Sequence, residues 1–137
     1  MRYVALDVGD KRIGIAVSDP LGWTAQGVET YHRTTSQQDY AYLREKIASY
    51  EPEGLVVGLP VNMNGTKGPR VELVEAFVKK LMGAWALPVY YQDERMTTMA
   101  ATQVLLQADV SRKKRKQKVD QLAAVLILQR FLDSLHA

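Results

Sequence analysis

The first forty residues alternate between apolar and small or polar positions in a way that predicts paired strands. Residues 2–8 predict the first strand, and from residue 3 onward both alternating sets are apolar apart from one acid, which is typical of a central strand covered on both faces. Gly9 marks a turn, and residues 12–19 alternate again, so the two segments predict a hairpin. Residues 24–32 predict a third strand, which we expect to carry Val28 and Thr30 on one side and Tyr31 on the other.

The period then lengthens to that of helices separated by short strands. Apolar residues recur at three- and four-residue intervals, and turn-forming residues such as the Glu-Pro-Glu-Gly at 51–54 separate the segments. Pro69 suits the first position of a helix. Thr97 or Thr98 suits the cap of the next one. The pattern predicts helices at 40–50, 69–81, 101–108 and 119–132, the last apolar nearly all round and deeply buried, and strands at 55–60 and 87–92.

This order of elements predicts the fold class. Strands joined by tight turns pair antiparallel, whereas strands separated by helices are joined by right-handed parallel crossovers. We therefore expect an α/β fold with a mixed five-stranded sheet and helices on both faces. The 137 residues fit one domain, residues 1–137. The chain has no cysteine, and no apolar stretch approaches a membrane span, so we expect a soluble cytoplasmic protein.

Positive charge is concentrated near the C-terminal end. The net charge is +3, but six of the 18 basic residues lie within 112–118, and outside that run acidic residues outnumber basic ones. This distribution is typical of a protein that binds a polyanion such as nucleic acid. A solvated, flexible basic loop is the alternative interpretation. The basic run consists of Arg112, Lys113, Lys114, Arg115, Lys116 and Lys118.

Three acids stand where the predicted topology brings element ends to one edge of the sheet. Asp7 lies in the apolar first strand, where an unpaired carboxylate costs several kcal/mol. Glu94 follows the fifth strand, and Asp120 lies at the entry to the last helix. Without cysteine or clustered histidine, such carboxylates favour Mg²⁺ or Mn²⁺. Two such ions can activate a water and stabilise the leaving oxygen in phosphodiester cleavage.

Each acid also has an ordinary structural interpretation. Asp7 could pair with Lys11 or Arg12 in its own turn. The helix dipole favours acids in the first turn of a helix, and that role is open to Asp93, Glu94 and Asp120. Two other functions also remain open. The first turn resembles the phosphate-binding hairpin of actin-like ATPases and sugar kinases, although those proteins need two domains. A non-catalytic nucleic-acid-binding module would use the basic run equally well.

Four blocks in order along nearly the whole chain carry a family resemblance: DVGDKRIGIAVSDPLG, VVGLPVNMNGTKGPR, DERMTT and SRKKRKQKVDQLAAVLIL. They resemble the signature blocks of the bacterial YqgF (RuvX-type) family of Holliday junction resolvases, also described as nucleases that mature the precursor of small-subunit ribosomal RNA. The resemblance implies a ribonuclease H-like fold related to RuvC. It also implies a two-metal nuclease that leaves 5′-phosphate and 3′-hydroxyl ends on precursor rRNA or branched DNA. The sequence leaves both a monomer and a homodimer open.

The same resemblance assigns site residues. It makes Asp7, Glu94 and Asp120 the catalytic carboxylates that bind the two ions. It favours Arg12, Arg95 and Thr98 as supporting residues, although a structural role is open for each. Basic residues expected to contact nucleic acid are Arg12, Lys67, Arg95 and the basic run. Asn62 and Asn64 lie on the loop that carries Lys67, where a turn formed by Asn64 and Gly65 is the better interpretation.

Overall fold

The computed structural model describes residues 1–62, 64–94 and 112–137, and for 112–120 it describes the backbone alone. Within these ranges the chain forms five strands and three helices. The strands are β1 (Tyr3–Val8), β2 (Arg12–Ser18), β3 (Ala25–His32), β4 (Gly54–Leu59) and β5 (Val89–Asp93). The helices are α1 (Ser36–Ser49), α2 (Pro69–Met82) and α3 (Arg112–Leu135). None of the described helices is long and apolar enough to cross a membrane.

The five strands form one mixed sheet in the order β3-β2-β1-β4-β5. The two hairpin partners, β1 with β2 and β2 with β3, are antiparallel. The later strands run parallel, β4 beside β1 and β5 beside β4. This arrangement confirms the mixed sheet predicted from the sequence. It also places the carboxyl ends of β1, β4 and β5 at the same edge.

Strand β1 separates two hydrophobic clusters because its side chains alternate between the faces of the sheet. Val4, Leu6 and Val8 pack with α1 and α2 in the larger cluster. Tyr3 and Ala5 pack on the other face, against Ala124, Ile127, Leu128, Phe131 and Leu132 of α3. Asp7 continues the second set, so alternation places it on the α3 face, next to the end of the strand.

Strand β3 differs from the expected alternation. Val28 and Tyr31 both pack against the cluster beneath α1 and α2, so the prediction that they lie on opposite sides is wrong. The reason is a shift in pairing, because Glu29 lies opposite Ile15 whereas Gly27 lies opposite Ala16. The extra residue, Val28, forms a bulge that reverses the alternation after it.

Helix α3 also differs from expectation. It begins at Arg112, so the basic run forms its first two turns and is not a loop. Asp120 consequently lies inside the helix and not at its entry, as the sequence had suggested. The helix is buried on one side, whereas Val125 and Leu126 are only half-buried and Arg130 is exposed, so deep burial all round is wrong. The helix predicted at 101–108 lies outside the described residues.

Candidate active site

Two carboxylate-bearing residues stand at the carboxyl edge of the parallel strands. Asp7 is the penultimate residue of β1 and pairs with Gly14 of the neighbouring strand. Glu94 comes directly after β5, and its N–H donates to the carbonyl of Leu59 at 3.1 Å. The backbone pairing of β5 with β4 therefore extends to Glu94 and fixes where its side chain starts.

Gly58 provides the space that the carboxyl group of Glu94 occupies. A Cβ atom at this position of β4 would lie 2.5 Å from Glu94 Oε2 and 2.6 Å from Ile127 Cδ1. Any side chain there would push the carboxyl group or the helix away. The absence of a side chain at Gly58 thus lets Glu94 lie against β4, on the face covered by α3.

The carboxyl group of Glu94 is held where its negative charge is poorly compensated. Its Oε2 is buried and accepts no hydrogen bond from the described residues. Burial raises the pKa of Glu94 to about 9, with further contributions from the negative charge of Asp7 and from a hydrogen bond between the two carboxyl groups. The charge of Arg70 lowers this pKa, and that of Asp93 raises it.

The Asp7–Glu94 pair therefore requires a positive partner. Two carboxylates cannot donate to each other, so in the absence of a cation the pair is stabilised by sharing a proton. Carboxylate oxygens are also the ligands that Mg²⁺ and Mn²⁺ prefer, and such an ion would satisfy Glu94 Oε2. The chemistry of the pair thus fits a divalent cation better than it fits a structural ion pair.

Asp120 is placed only at the level of its backbone. It lies in α3 seven residues before Ile127, and positions 120, 124 and 127 of a helix share one face. Ala124 and Ile127 pack on the same face of the sheet as Ala5. Among the side chains that the structure describes, no three metal-ligating groups come together, so the grouping with Asp120 stays a prediction.

The remaining predicted residues have varied positions. Arg95 and Thr98 lie outside the described residues. Arg12 is the first residue of β2 and is half-buried, whereas Lys67 is exposed. The expected turn role of Asn64 is confirmed, because its Oδ1 accepts from Thr66 N at 3.1 Å and from Thr66 Oγ1 at 2.7 Å. The following glycine has a φ of 84°, a conformation that favours glycine.

Two arginines near this edge were missed by the sequence analysis. Arg70, in the first turn of α2, lies with its Nη1 3.2 Å from Asp10 Oδ2, and its charge acts on Glu94. Arg33 donates from Nη1 to the carbonyl of Gly9 at 2.9 Å and from Nε to Asp39 Oδ2 at 3.1 Å. Two sequence signals pointed to Arg70: it ends the block VVGLPVNMNGTKGPR, and it starts a helix whose N-terminus the topology brings to the same edge.

Comparison of the sequence with known proteins gives matches over almost its full length. A family model described as "RuvX: Holliday junction resolvase" matches residues 1–134. A Moorella thermoacetica protein named "Putative pre-16S rRNA nuclease" is 55% identical over 135 residues, which cover 98% of this chain and 96% of that protein. A Geobacillus sp. WCH70 protein of the same name is 54% identical, with 98% and 99% covered.

Comparison of the structure identifies the fold. Thermus thermophilus RuvC in complex with a Holliday junction substrate has a TM-score of 0.66 and 15% identity, with 100% of this chain and 97% of that chain covered. Fowlpox virus resolvase in complex with Holliday junction DNA has a TM-score of 0.64 and 14% identity, with both chains fully covered. The predicted ribonuclease H-like fold is confirmed by this likeness.

Proposed function

The chain belongs to the RuvX family of Holliday junction resolvases and is a nuclease, and we propose that it hydrolyses phosphodiester bonds of precursor 16S rRNA with divalent metal ions. The observation that carries the proposal is the buried Oε2 of Glu94, which accepts no hydrogen bond from the described residues and lies beside a second acid. The names of the two relatives support the choice of RNA. Branched DNA is the second candidate substrate, supported by the description of the family. A cytoplasmic location is part of the proposal.

Asp7 and Glu94 would hold the metal together with Asp120 of α3. Two Mg²⁺ or Mn²⁺ ions bound there would supply activation of a water molecule and stabilisation of the leaving oxygen. The role of the chain is to fix the ligands, since β1 holds Asp7 and the bond to Leu59 holds Glu94. The buried side chain of Ile127 lies on the helix side of the same site.

The basic run would hold the nucleic-acid backbone. It forms the first two turns of the helix that carries Asp120, so it lies next to Asp120 along the chain. Replacing Lys113, Lys114 and Lys116 by Gln should weaken binding across sequences. The log-log salt dependence should fall by about 0.7 to 0.9 for each lost phosphate contact. An unchanged slope would exclude this role, and Lys46→Gln on α1 provides the control.

Metal-dependent cleavage tests the proposed function directly. Wild type and Asp7→Asn should be compared in Mg²⁺ and in EDTA, on a precursor 16S rRNA fragment and on a four-way DNA junction. Asparagine keeps the size of aspartate and removes its charge, so we expect no cleavage by Asp7→Asn. Wild type should cleave in Mg²⁺ but not in EDTA, and it should cleave the RNA faster than the junction. Wild-type binding without cleavage of either substrate would instead support a non-catalytic binding module.

Preference for the junction would reject the RNA substrate and leave the nuclease chemistry intact. Equal cleavage by the Asp7→Asn variant would contradict the assignment of Asp7. Turnover of ATP without cleavage of nucleic acid would favour the kinase-like interpretation, although proteins of that kind need two domains.

A further inference from the structure

A second cleft opens at the same edge, on the opposite face of the sheet from Glu94. It has a volume of about 250 Å³ and lies between the turn after β1 and one side of α2. We call it the α2 cleft. Its wall carries three cationic side chains, one acid and an apolar surface, and the residues used below are Asp10, Arg33, Arg70, Leu73, Phe77 and Lys80.

Arg33 is a fixed part of this wall. Its guanidinium carbon lies 4.8 Å from the centre of the Phe77 ring. It also donates to the Gly9 carbonyl and to the buried carboxylate of Asp39. These contacts hold the guanidinium in one position, so Arg33 shapes the cleft beside the turn that follows Asp7.

Arg70 is held much more weakly. Its side chain is 54% exposed, and its partner Asp10 is 75% exposed. An ion pair of this kind contributes about 0 to 1 kcal/mol, because water solvates both charges nearly as well. A phosphate group can therefore replace Asp10 on Arg70 at little cost, and it offers a stronger, charge-assisted contact.

An apolar surface lies next to this exchangeable cation. Leu73 is three residues after Arg70 on α2, so the two share a face of the helix, and Leu73 is 64% exposed. Lys80 adds a second positive charge to the lining. A cationic mouth beside an exposed apolar wall matches the chemistry of a nucleotide, which joins a phosphate to a flat, weakly polar base.

The position of the cleft indicates which nucleotide. Val8, Gly9 and Asp10 line it, and they follow Asp7 directly along the chain. The charge of Arg70 is also close enough to act on Glu94. The α2 cleft and the candidate active site thus meet at the end of β1, and a strand lying across this edge reaches both.

We propose that the α2 cleft receives a nucleotide of the substrate strand adjacent to the cleaved bond, with Arg70 leaving Asp10 to bind its phosphate and Leu73 contacting its base. The identification of the strand as substrate rests on the proposed nuclease function. In the free protein, Asp10 then occupies the place on Arg70 that the phosphate takes.

Opposite effects of two substitutions test this proposal. Binding of a fluorescein-labelled precursor rRNA fragment, with a DNA fragment of the same sequence in parallel, is measured by anisotropy in EDTA, where cleavage cannot interfere. Arg70→Gln should weaken binding by about five- to tenfold and lower the salt slope by about 0.7 to 0.9. Asp10→Asn should tighten binding by about two- to fivefold, because it removes the competing acid. Leu73→Ser should weaken binding by about twofold without changing the salt slope.

A structural role for the ion pair predicts a different result. If Arg70 and Asp10 only stabilise the fold, both substitutions break the same contact and change binding in the same direction, or not at all, and either result overturns the proposal. Glu29→Gln and Lys46→Gln break a half-buried ion pair, 3.6 Å apart, outside the cleft and should leave binding unchanged.

Different results would contradict the nuclease function and the cleft proposal. Absence of Mg²⁺-dependent cleavage by wild type would contradict the proposed nuclease function. Absence of opposite effects of Arg70→Gln and Asp10→Asn on binding in EDTA would contradict the cleft proposal. If the binding effects hold without any cleavage, the cleft is supported as a nucleotide site of a binding protein.

Discussion

Asp39 and Glu94 are both acids withdrawn from solvent, but their surroundings shift the pKa of the carboxyl group in opposite directions. Asp39 is 1% exposed and accepts hydrogen bonds from three groups, Tyr31 Oη at 2.8 Å, Arg33 Nε at 3.1 Å and Thr34 N at 2.9 Å. Burial alone would raise the pKa of Asp39, but these bonds and the charge of Arg33 lower it below its ordinary value. Around Glu94 burial acts in the same direction, and no described donor reaches Oε2 to oppose it.

The difference lies in the donors and not in the burial. A buried acid that is fully hydrogen-bonded stabilises the fold, since it joins β3, the following loop and α1. A buried acid whose nearest charged neighbour is another acid destabilises the metal-free protein and is retained for what it binds. The comparison thus supports a structural role for Asp39 and favours the proposed ligand-binding role of the Asp7–Glu94 pair.

The largest expected difference between substitutions of the two acids is in the rate of cleavage. Glu94→Gln removes a proposed metal ligand, and we expect the rate of cleavage of the precursor rRNA fragment to fall by at least about a hundredfold. Asp39→Asn removes no proposed metal ligand, so its rate should stay within about an order of magnitude of wild type. Rates are compared in Mg²⁺ at a temperature at which circular dichroism shows both variants folded. Equal losses in the two variants would remove the distinction between structural and ligand-binding acids.

Stability should show the reverse order. Asp39→Asn places an amide N–H₂ among donors and leaves the half-buried charge of Arg33 without its carboxylate partner. We expect a loss of about 2 to 3 kcal/mol in the free energy of unfolding, measured by urea denaturation. In EDTA the folded protein must keep a proton on Glu94 that the unfolded chain releases, and Glu94→Gln removes this cost, so the variant should lose no stability in EDTA. A loss of stability in Glu94→Gln as large as that in Asp39→Asn would show that Glu94 also serves the fold.

Filling the space above Gly58 should have a smaller effect on stability and on the response to Mg²⁺. In Gly58→Ala the new methyl group meets Glu94 Oε2 and Ile127, so we expect a loss of about 1 to 2 kcal/mol and a weaker rise of Tm with Mg²⁺. Gly54→Ala is the matched control on the same strand, where the added Cβ lies 2.7 Å from Tyr90. It should destabilise similarly and keep the full response to Mg²⁺. A normal rise of Tm with Mg²⁺ in Gly58→Ala would show that Mg²⁺ binding does not depend on the observed position of the Glu94 carboxyl group.

The sequence predicts the features that depend on local pattern and topology. Alternation in β1 marks Asp7 as exceptional, and the order of strands and helices brings Glu94 to the same edge, where the structure places both. The helix predicted at 69–81 is confirmed as α2 within one residue, because Val71 and Val74, both buried, begin a regular helical period.

Features that depend on distant partners could not be predicted. The pair of Arg70 with Asp10 joins residues 60 positions apart, and neither residue breaks a local pattern. The bulge at Val28 follows from pairing with β2, not from the alternation within β3. The start of α3 was missed because a run of bases has no apolar period, even though Lys and Arg are good helix formers.

The two acids should also respond to pH with opposite signs. In EDTA the folded protein retains a proton at Glu94 up to about pH 9, whereas the unfolded chain releases it near pH 4.5, so this group makes stability fall as pH rises between these values. Asp39, with its lowered pKa, contributes stability that is complete above the ordinary value of 3.8 and is lost as pH falls through the folded value.

Urea denaturation of wild type and Asp7→Asn from pH 5 to 8, an interval in which Asp39 does not titrate, isolates the contribution of Glu94. Removing the charge of Asp7 lowers the pKa of Glu94, so the fall of stability with pH should be shallower in the variant, by at most about 1.4 kcal/mol per pH unit. Mg²⁺ should flatten the wild-type curve in the same way, because a bound cation replaces the shared proton. Parallel curves for wild type and variant in EDTA would show that burial alone raises the pKa of Glu94, and that the two carboxylates do not form one site.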